Sequence, residues 1–364
     1  MINKNAFPNY TQMRQRVPQT IWNISRFLTV GIGYGLIITA FTRPQTTLFI
    51  FWRMIVPMLP ILFFIAPGIW RNICPMAALN QASRMFNFGR GLTLPAWLKN
   101  YASLINTILF IVIVTTRKEL FNTSGPALGL LLLLAFTAAL ISGYFFKGKS
   151  GWCSTLCPLL TVERLYGQTP FVTVPNNYCQ PCVGCIKNCY DINPALANIA
   201  DHHDTHHRSS LYRRLFAGAL PGLILAFYVI PDAPQISDIS LYSWIALSML
   251  ISLGIFLTLE RLLKASAYHL TTLFGAIALN YFYLFNIPIA ADTLHQLFGI
   301  TLPTVVLCAS YLVIFVLSDI WIYRSYRKER LYVLSANVRN TSEMRRVNAA
   351  PQIDPIFDTR PSYH

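Results

Sequence analysis

Residues 179 to 189 read CQPCVGCIKNC, which places Cys179, Cys182, Cys185 and Cys189 at spacings of two, two and three. A C-x2-C-x2-C stretch wraps three thiolates around one iron–sulfur cubane. The fourth ligand comes from elsewhere in the chain, and a further cysteine three residues on usually reaches a second cluster. Zinc sites pair two well-separated C-x2-C hooks, so this compact run suits them poorly. The chemistry expected here is therefore single-electron redox at a [4Fe–4S] cluster.

Two more cysteine sites lie upstream. GWCSTLCPLL gives Cys153-x3-Cys157-Pro158, and GIWRNICPMAAL gives Trp70-x3-Cys74-Pro75. Each follows a long apolar stretch, so the pair reads as a degenerate repeat of a two-helix unit ending in a cysteine–proline turn. Cys157 precedes a proline, as the remote ligand of ferredoxins does, and stands 22 residues before Cys179. On that basis Cys157 is expected to close the cubane held by Cys179, Cys182 and Cys185. Cys189 would then reach a second cluster with Cys153 and Cys74. The competing arrangement keeps all four cysteines of the run on one cluster. Seven cysteines make one full set of four plus three, so a second cluster needs a further ligand. Cys308 stands apart in an apolar span and is expected to be a small buried side chain.

Other polar groups carry weaker signals. DHHDTHH sets His202, His203, His206 and His207 where i, i+4 pairs would share a helix face, although a solvated loop is the plainer reading. Glu260, His269 and Asp319 gather at the ends of late spans. Proton handling beside a quinol suits such groups, and pairing with Arg261 or Arg324 is the alternative. Arg53 is expected to snorkel to the nearer membrane surface. No C-x-x-C-H is present for covalent haem, and no phosphate-binding glycine motif appears.

The elements that must position these cysteines are set by composition. Of 364 residues 54% are hydrophobic and 12% charged, about half the charged share of soluble domains. The apolar residues cluster into stretches approaching the roughly 20 residues that cross a bilayer. The strand-length alternation of a β-barrel is absent, so the fold expected is an all-α integral membrane protein. Eight spans are expected, near 24–42, 48–70, 101–116, 125–146, 215–230, 241–259, 267–288 and 299–323, with kinks at Pro57, Pro60 and Pro67. This divides the chain into a four-span region (1–146), a small ferredoxin-like module (147–214), a second four-span region (215–323) and a partly disordered tail (324–364). With the N-terminus in the cytoplasm, 25 of the 29 Lys and Arg residues fall on the cytoplasmic side. The bias sets both termini inside and puts seven of the eight cysteines in a compartment that keeps thiols reduced. It also accounts for the net charge of +15 without nucleic acid, for which no aromatic-interleaved basic patch is present.

A C-x3-C-P motif after a membrane span, followed by a ferredoxin-type run, resembles the membrane ferredoxins of the NapH/NosR type. Those accompany periplasmic nitrate and nitrous-oxide reduction, and the related CcoG/RdxA type accompanies cytochrome oxidase assembly. The resemblance covers residues 48 to 195. It implies a polytopic protein of the bacterial inner membrane with cytoplasmic [4Fe–4S] clusters. The function it implies is electron transfer between the quinol or quinone pool and a partner redox protein, as a subunit of an oxidoreductase system. A redox assembly factor for a respiratory metalloenzyme is the alternative. The chain departs from the family pattern at Trp70, where a cysteine is expected, and at Tyr190, where a proline is. It also has one ferredoxin run where two are common.

Overall fold

The computed structural model describes residues 12–182, 189–203, 209–232, 235–263 and 265–347. Among these residues the chain is helical, with one isolated bridge between Leu92 and Phe146 and no strand. Seven helices are long and apolar enough to cross a membrane: Gln19–Thr42, Pro44–Ile65, Ala96–Phe121, Gly125–Phe145, Asp238–Leu263, Ala267–Phe298 and Thr304–Leu334. Their outward faces carry large apolar side chains. On the first helix Ile24, Phe27, Leu28, Ile32 and Ile38 are all exposed, a surface suited to lipid and costly in water.

The expected fifth span is helical over Ser209–Val229 but is less apolar than the other seven. Its position explains the deficit. Phe216, Ala217, Leu220, Leu223 and Ala226 are buried in the main core, so this helix is enclosed by protein. Gly218 and Gly222 let Asp238–Leu263 approach closely: a Cβ on Gly222 would meet the carbonyl oxygen of Ser248 at 2.2 Å. Ser252 and Ser248 donate across the seam to the carbonyls of Gly218 and Gly222, at 2.6 and 2.9 Å. Small residues and interhelical hydrogen bonds are the means by which helices associate where burial against lipid gives no net gain.

The second span differs from its expected bounds. It runs from Pro44, passes through a π-helical turn at Phe51–Ile55 and ends at Ile65, where Ala66 breaks the backbone before Pro67–Ile73. At the kink around Pro60 the Ile61 N–H donates to Tyr283 Oη (3.0 Å), which in turn donates to the Pro57 carbonyl (2.8 Å). A hydroxyl from another helix thus occupies the gap in the i to i−4 ladder. Tyr283→Phe keeps the ring but orphans both backbone groups. It is expected to cost about 1–3 kcal/mol, read as a lower thermal midpoint in detergent. An unchanged midpoint would show that the bridge contributes nothing.

The last helix and Arg53 are more closely defined than expected, and the expectation for Cys308 is corrected. The last helix continues as Thr304–Val347, well beyond residue 324, because Arg, Lys, Glu and Leu support helix and no proline intervenes before Pro351. Cys308 faces outward and is exposed. Arg53 pairs with Asp292 at 2.6 Å, so its charge is met by a carboxylate one helix away.

Candidate functional site

Both cysteine–proline turns begin a helix. Cys74 has φ −54° and ψ 123°, the extended backbone a following proline favours, and it caps Pro75–Met85. That helix packs on Gly125–Phe145 so tightly that a Cβ on Gly143 would lie 2.0 Å from the Asn80 carbonyl oxygen. Cys157 and Pro158 precede Leu159–Tyr166, whose Leu160, Val162, Leu165 and Tyr166 are buried. The backbone N–H groups of Met76 and Ala77 point at the Cys74 sulfur, and those of Leu159 and Leu160 at the Cys157 sulfur. Cys189 receives the N–H groups of Asp191 and Ile192. The Lys149 N–H donates to Cys182 Sγ at 3.4 Å.

The cysteines form two neighbouring sets. Cys74 and Cys153 are buried together with Trp152 and Tyr178, and Cys157 packs at their edge. Cys179, Cys182 and Cys189 act electrostatically on one another. The spacing argument pairs Cys157 with the run and Cys189 with Cys153; among the described residues Cys157 lies beside Cys74 and Cys153, and Cys189 beside Cys182 and Cys179. The buried face of Leu159–Tyr166 fixes the direction of its N-terminus, and with it the side on which Cys157 lies. Cys185 lies outside the described residues, as do His206 and His207. Among the described residues no three Cys, His, Asp or Glu side chains converge tightly enough to hold a metal ion. A cubane holds its four thiolates further apart than a single ion does, because the cluster itself separates them.

Burial pushes the Cys157, Cys179 and Cys189 thiols up to about 12 and raises Cys74 and Cys153 as well. Without a cluster these groups are neutral, and cluster assembly would have to displace their protons. The surroundings nonetheless suit anionic sulfur. Backbone N–H groups aimed at sulfur bind a thiolate far better than a thiol. In addition, Trp152 Nε1 and Tyr178 Oη, both beside Cys74 and Cys153, are buried with no hydrogen-bond partner among the described residues. Orphaned buried donors are rare, and a cluster's sulfides are acceptors within their chemistry. The donor set therefore fits a thiolate-bound iron–sulfur group.

A buried ionic quartet supports both sets. Arg71 lies 2.6 Å from Asp191 and 3.2 Å from Glu163, and Lys149 lies 3.3 Å from Asp191. All four side chains are at most 6% exposed. The Arg71 guanidinium also stands over the Tyr190 ring at 4.5 Å, and the Lys149 ammonium over the Tyr178 ring at 4.1 Å. Although burial opposes its charge, Arg71 and Lys149 together hold the Asp191 carboxyl well below its ordinary range. Tyr190 is thus part of the quartet's wall, at the position where the ferredoxin pattern has proline. The sequence offers no periodic signal for this network.

A second polar group lies at the same end of the bundle. Glu329 is buried between His269 (2.7 Å) and His203 (3.2 Å) and accepts from Ser266 (3.0 Å). It borders a groove of about 750 Å³ that reaches Tyr323, Tyr326 and Leu334. Of the residues singled out in the sequence, His203 and His269 belong here. Glu260 pairs with Arg214, not Arg261, and Arg324 donates to the Pro170 carbonyl at 3.2 Å. His202 is half-buried against Tyr268, and desolvation and His203 hold it down to about 4. Compared with protein-family models, curated proteins and solved structures, the chain matches none.

Proposed function

We propose that this chain is a multi-pass membrane iron–sulfur protein that passes electrons between the quinol pool and a redox partner. In this reading it is of the NapH/NosR type and resides in the bacterial inner membrane. The enclosed Ser209–Val229 helix is taken as an eighth span, and the cysteine-bearing module and both termini face the cytoplasm, as the distribution of basic residues favours. The observation that carries the reading is the set of backbone N–H groups aimed at four sulfurs gathered at one end of the bundle. Cys179, Cys182, Cys185 and Cys189 would hold one [4Fe–4S] cluster. Cys74, Cys153 and Cys157 would supply three ligands of a second. Such a cluster supplies a one-electron relay. N–H donors at the sulfurs favour added negative charge and so raise the potential.

The Glu329 group supports the quinol half of the reading. Oxidising a quinol releases protons, and two histidines held against a buried carboxylate, bordering an apolar groove, are placed to accept them. Anaerobic purification is expected to yield iron and acid-labile sulfide in near-equal amounts, about four or eight of each per chain. Stoichiometric zinc without sulfide would overturn the proposal.

A further inference from the structure

At the end of the bundle opposite the cysteines lies an open cleft of about 810 Å³, lined in part by Trp52, Arg53, Arg117, Lys118, Tyr228 and Asn286. The sequence keeps basic residues away from this end. Among the described residues the Lys and Arg side chains at this end are Arg43, Arg53, Arg117 and Lys118, and three of the four converge on this one cleft. A topology signal explains why cations are scarce at this end. It does not explain why the exceptions meet.

Two of the three cations are neutralised. Lys118, 3% exposed, pairs with Asp232 at 2.5 Å and donates to the Phe227 carbonyl at 2.6 Å. Arg53 pairs with Asp292, which also accepts from Gln296 at 2.8 Å. Asp232 accepts a second bond from Asn122 at 3.3 Å. Both carboxylates are thus committed. Arg117 has only a share of Asp232, which Lys118 already holds: its guanidinium lies 3.9 Å over the Trp52 ring and 4.9 Å from that of Phe227, its Nε donates to Asn122 at 2.7 Å, and it hydrogen-bonds the Tyr228 hydroxyl. No ion pair to Arg117 exists among the described residues. A guanidinium has five N–H donors in a planar fork. Stacked on an indole, with Asn122 and Tyr228 taking two of its donors, it keeps the remaining N–H groups for an oxyanion.

We infer that this cleft binds a singly charged phosphate-type oxyanion, held by the Arg117 fork and its charge balanced by the third cation of the cleft. The same chemistry is offered by free phosphate and by the phosphodiester of an anionic lipid, whose acyl chains the adjoining Phe49 and Ile289 would meet. The inference is independent of the cluster chemistry at the other end.

The test uses the full-length protein in detergent and in nanodiscs. Its thermal midpoint is measured against inorganic phosphate and against phosphatidylglycerol titrated into a phosphatidylcholine bilayer. Saturable stabilisation by phosphate identifies a free-anion site. Stabilisation by phosphatidylglycerol alone identifies a lipid-headgroup site. In either case Arg117→Gln is expected to weaken binding at least about tenfold. Arg43→Gln, a cation of the same end outside the cleft, is expected to leave it unchanged. Arg117→Lys keeps charge without the fork and is expected to bind with intermediate affinity, which covers the case that Arg117→Gln does not fold. No saturable stabilisation by either probe, or equal binding by wild type and the Arg117 variants, would overturn the inference.

Discussion

Cys189→Ser is expected to abolish the EPR signal of the cluster held by the 179–189 run, while Cys157→Ser leaves that signal in place and removes any second one. The expectation rests on how the thiols are grouped. Cys189 lies electrostatically beside Cys182 and Cys179 and takes N–H groups from Asp191 and Ile192. Cys157 lies beside Cys74, at the start of a helix whose buried face forbids it to swing toward the run. Serine keeps the size and the hydrogen bonds but replaces a soft thiolate with a hard, weakly acidic oxygen, so a lost cluster reports lost ligation and not lost packing. The two variants are to be compared by iron content and by EPR of the dithionite-reduced form. The opposite outcome, loss with Cys157→Ser and survival with Cys189→Ser, would restore the pairing that spacing alone suggests.

The grouping of the distant cysteines is where the sequence stops being informative. Spacing within a run of eleven residues constrains which thiolates share a cluster, because so short a chain cannot reach elsewhere. It says nothing about which distant cysteine folds back, since that depends on the packing of Leu159–Tyr166 and Pro75–Met85. The membrane helices were legible for a related reason. Lipid imposes one length and one polarity on every exposed span. Ser209–Val229 escapes that rule because it is wrapped by other helices, and its legible feature is the spacing of Gly218 and Gly222, a packing signal and not a hydropathy one. Glu329 was equally hidden. It lies on a stretch whose charges suggest a solvated tail, and only tertiary packing brings it between His203 and His269.

The ionic quartet was the least legible feature, since Arg71 and Asp191 are 120 positions apart, and its disruption is expected to have the largest effect on stability. Asp191→Asn removes the carboxylate that both Arg71 and Lys149 face. Arg71 retains Glu163, but the Lys149 ammonium, 2% exposed, is left among the described residues with the Arg71 carbonyl, the Tyr178 ring and a Glu163 already paired to Arg71. Leaving a buried charge without its counter-ion costs about 3–5 kcal/mol, to be read as a lower thermal midpoint in detergent. Lys149→Met combined with Asp191→Asn removes one charge of each sign and leaves the Arg71–Glu163 pair intact. The double variant is therefore expected to be more stable than Asp191→Asn alone, with a coupling of about 1–3 kcal/mol. The same substitution also reaches the cysteines. The backbone of Lys149 donates to Cys182, and that of Asp191 to Cys189, so freeing these two side chains loosens the donors that hold two ligands of one cluster. Iron content is expected to fall with Asp191→Asn even at temperatures where the helices remain folded. If iron content and thermal midpoint both match the wild type, the quartet neither stabilises the fold nor positions the sulfurs.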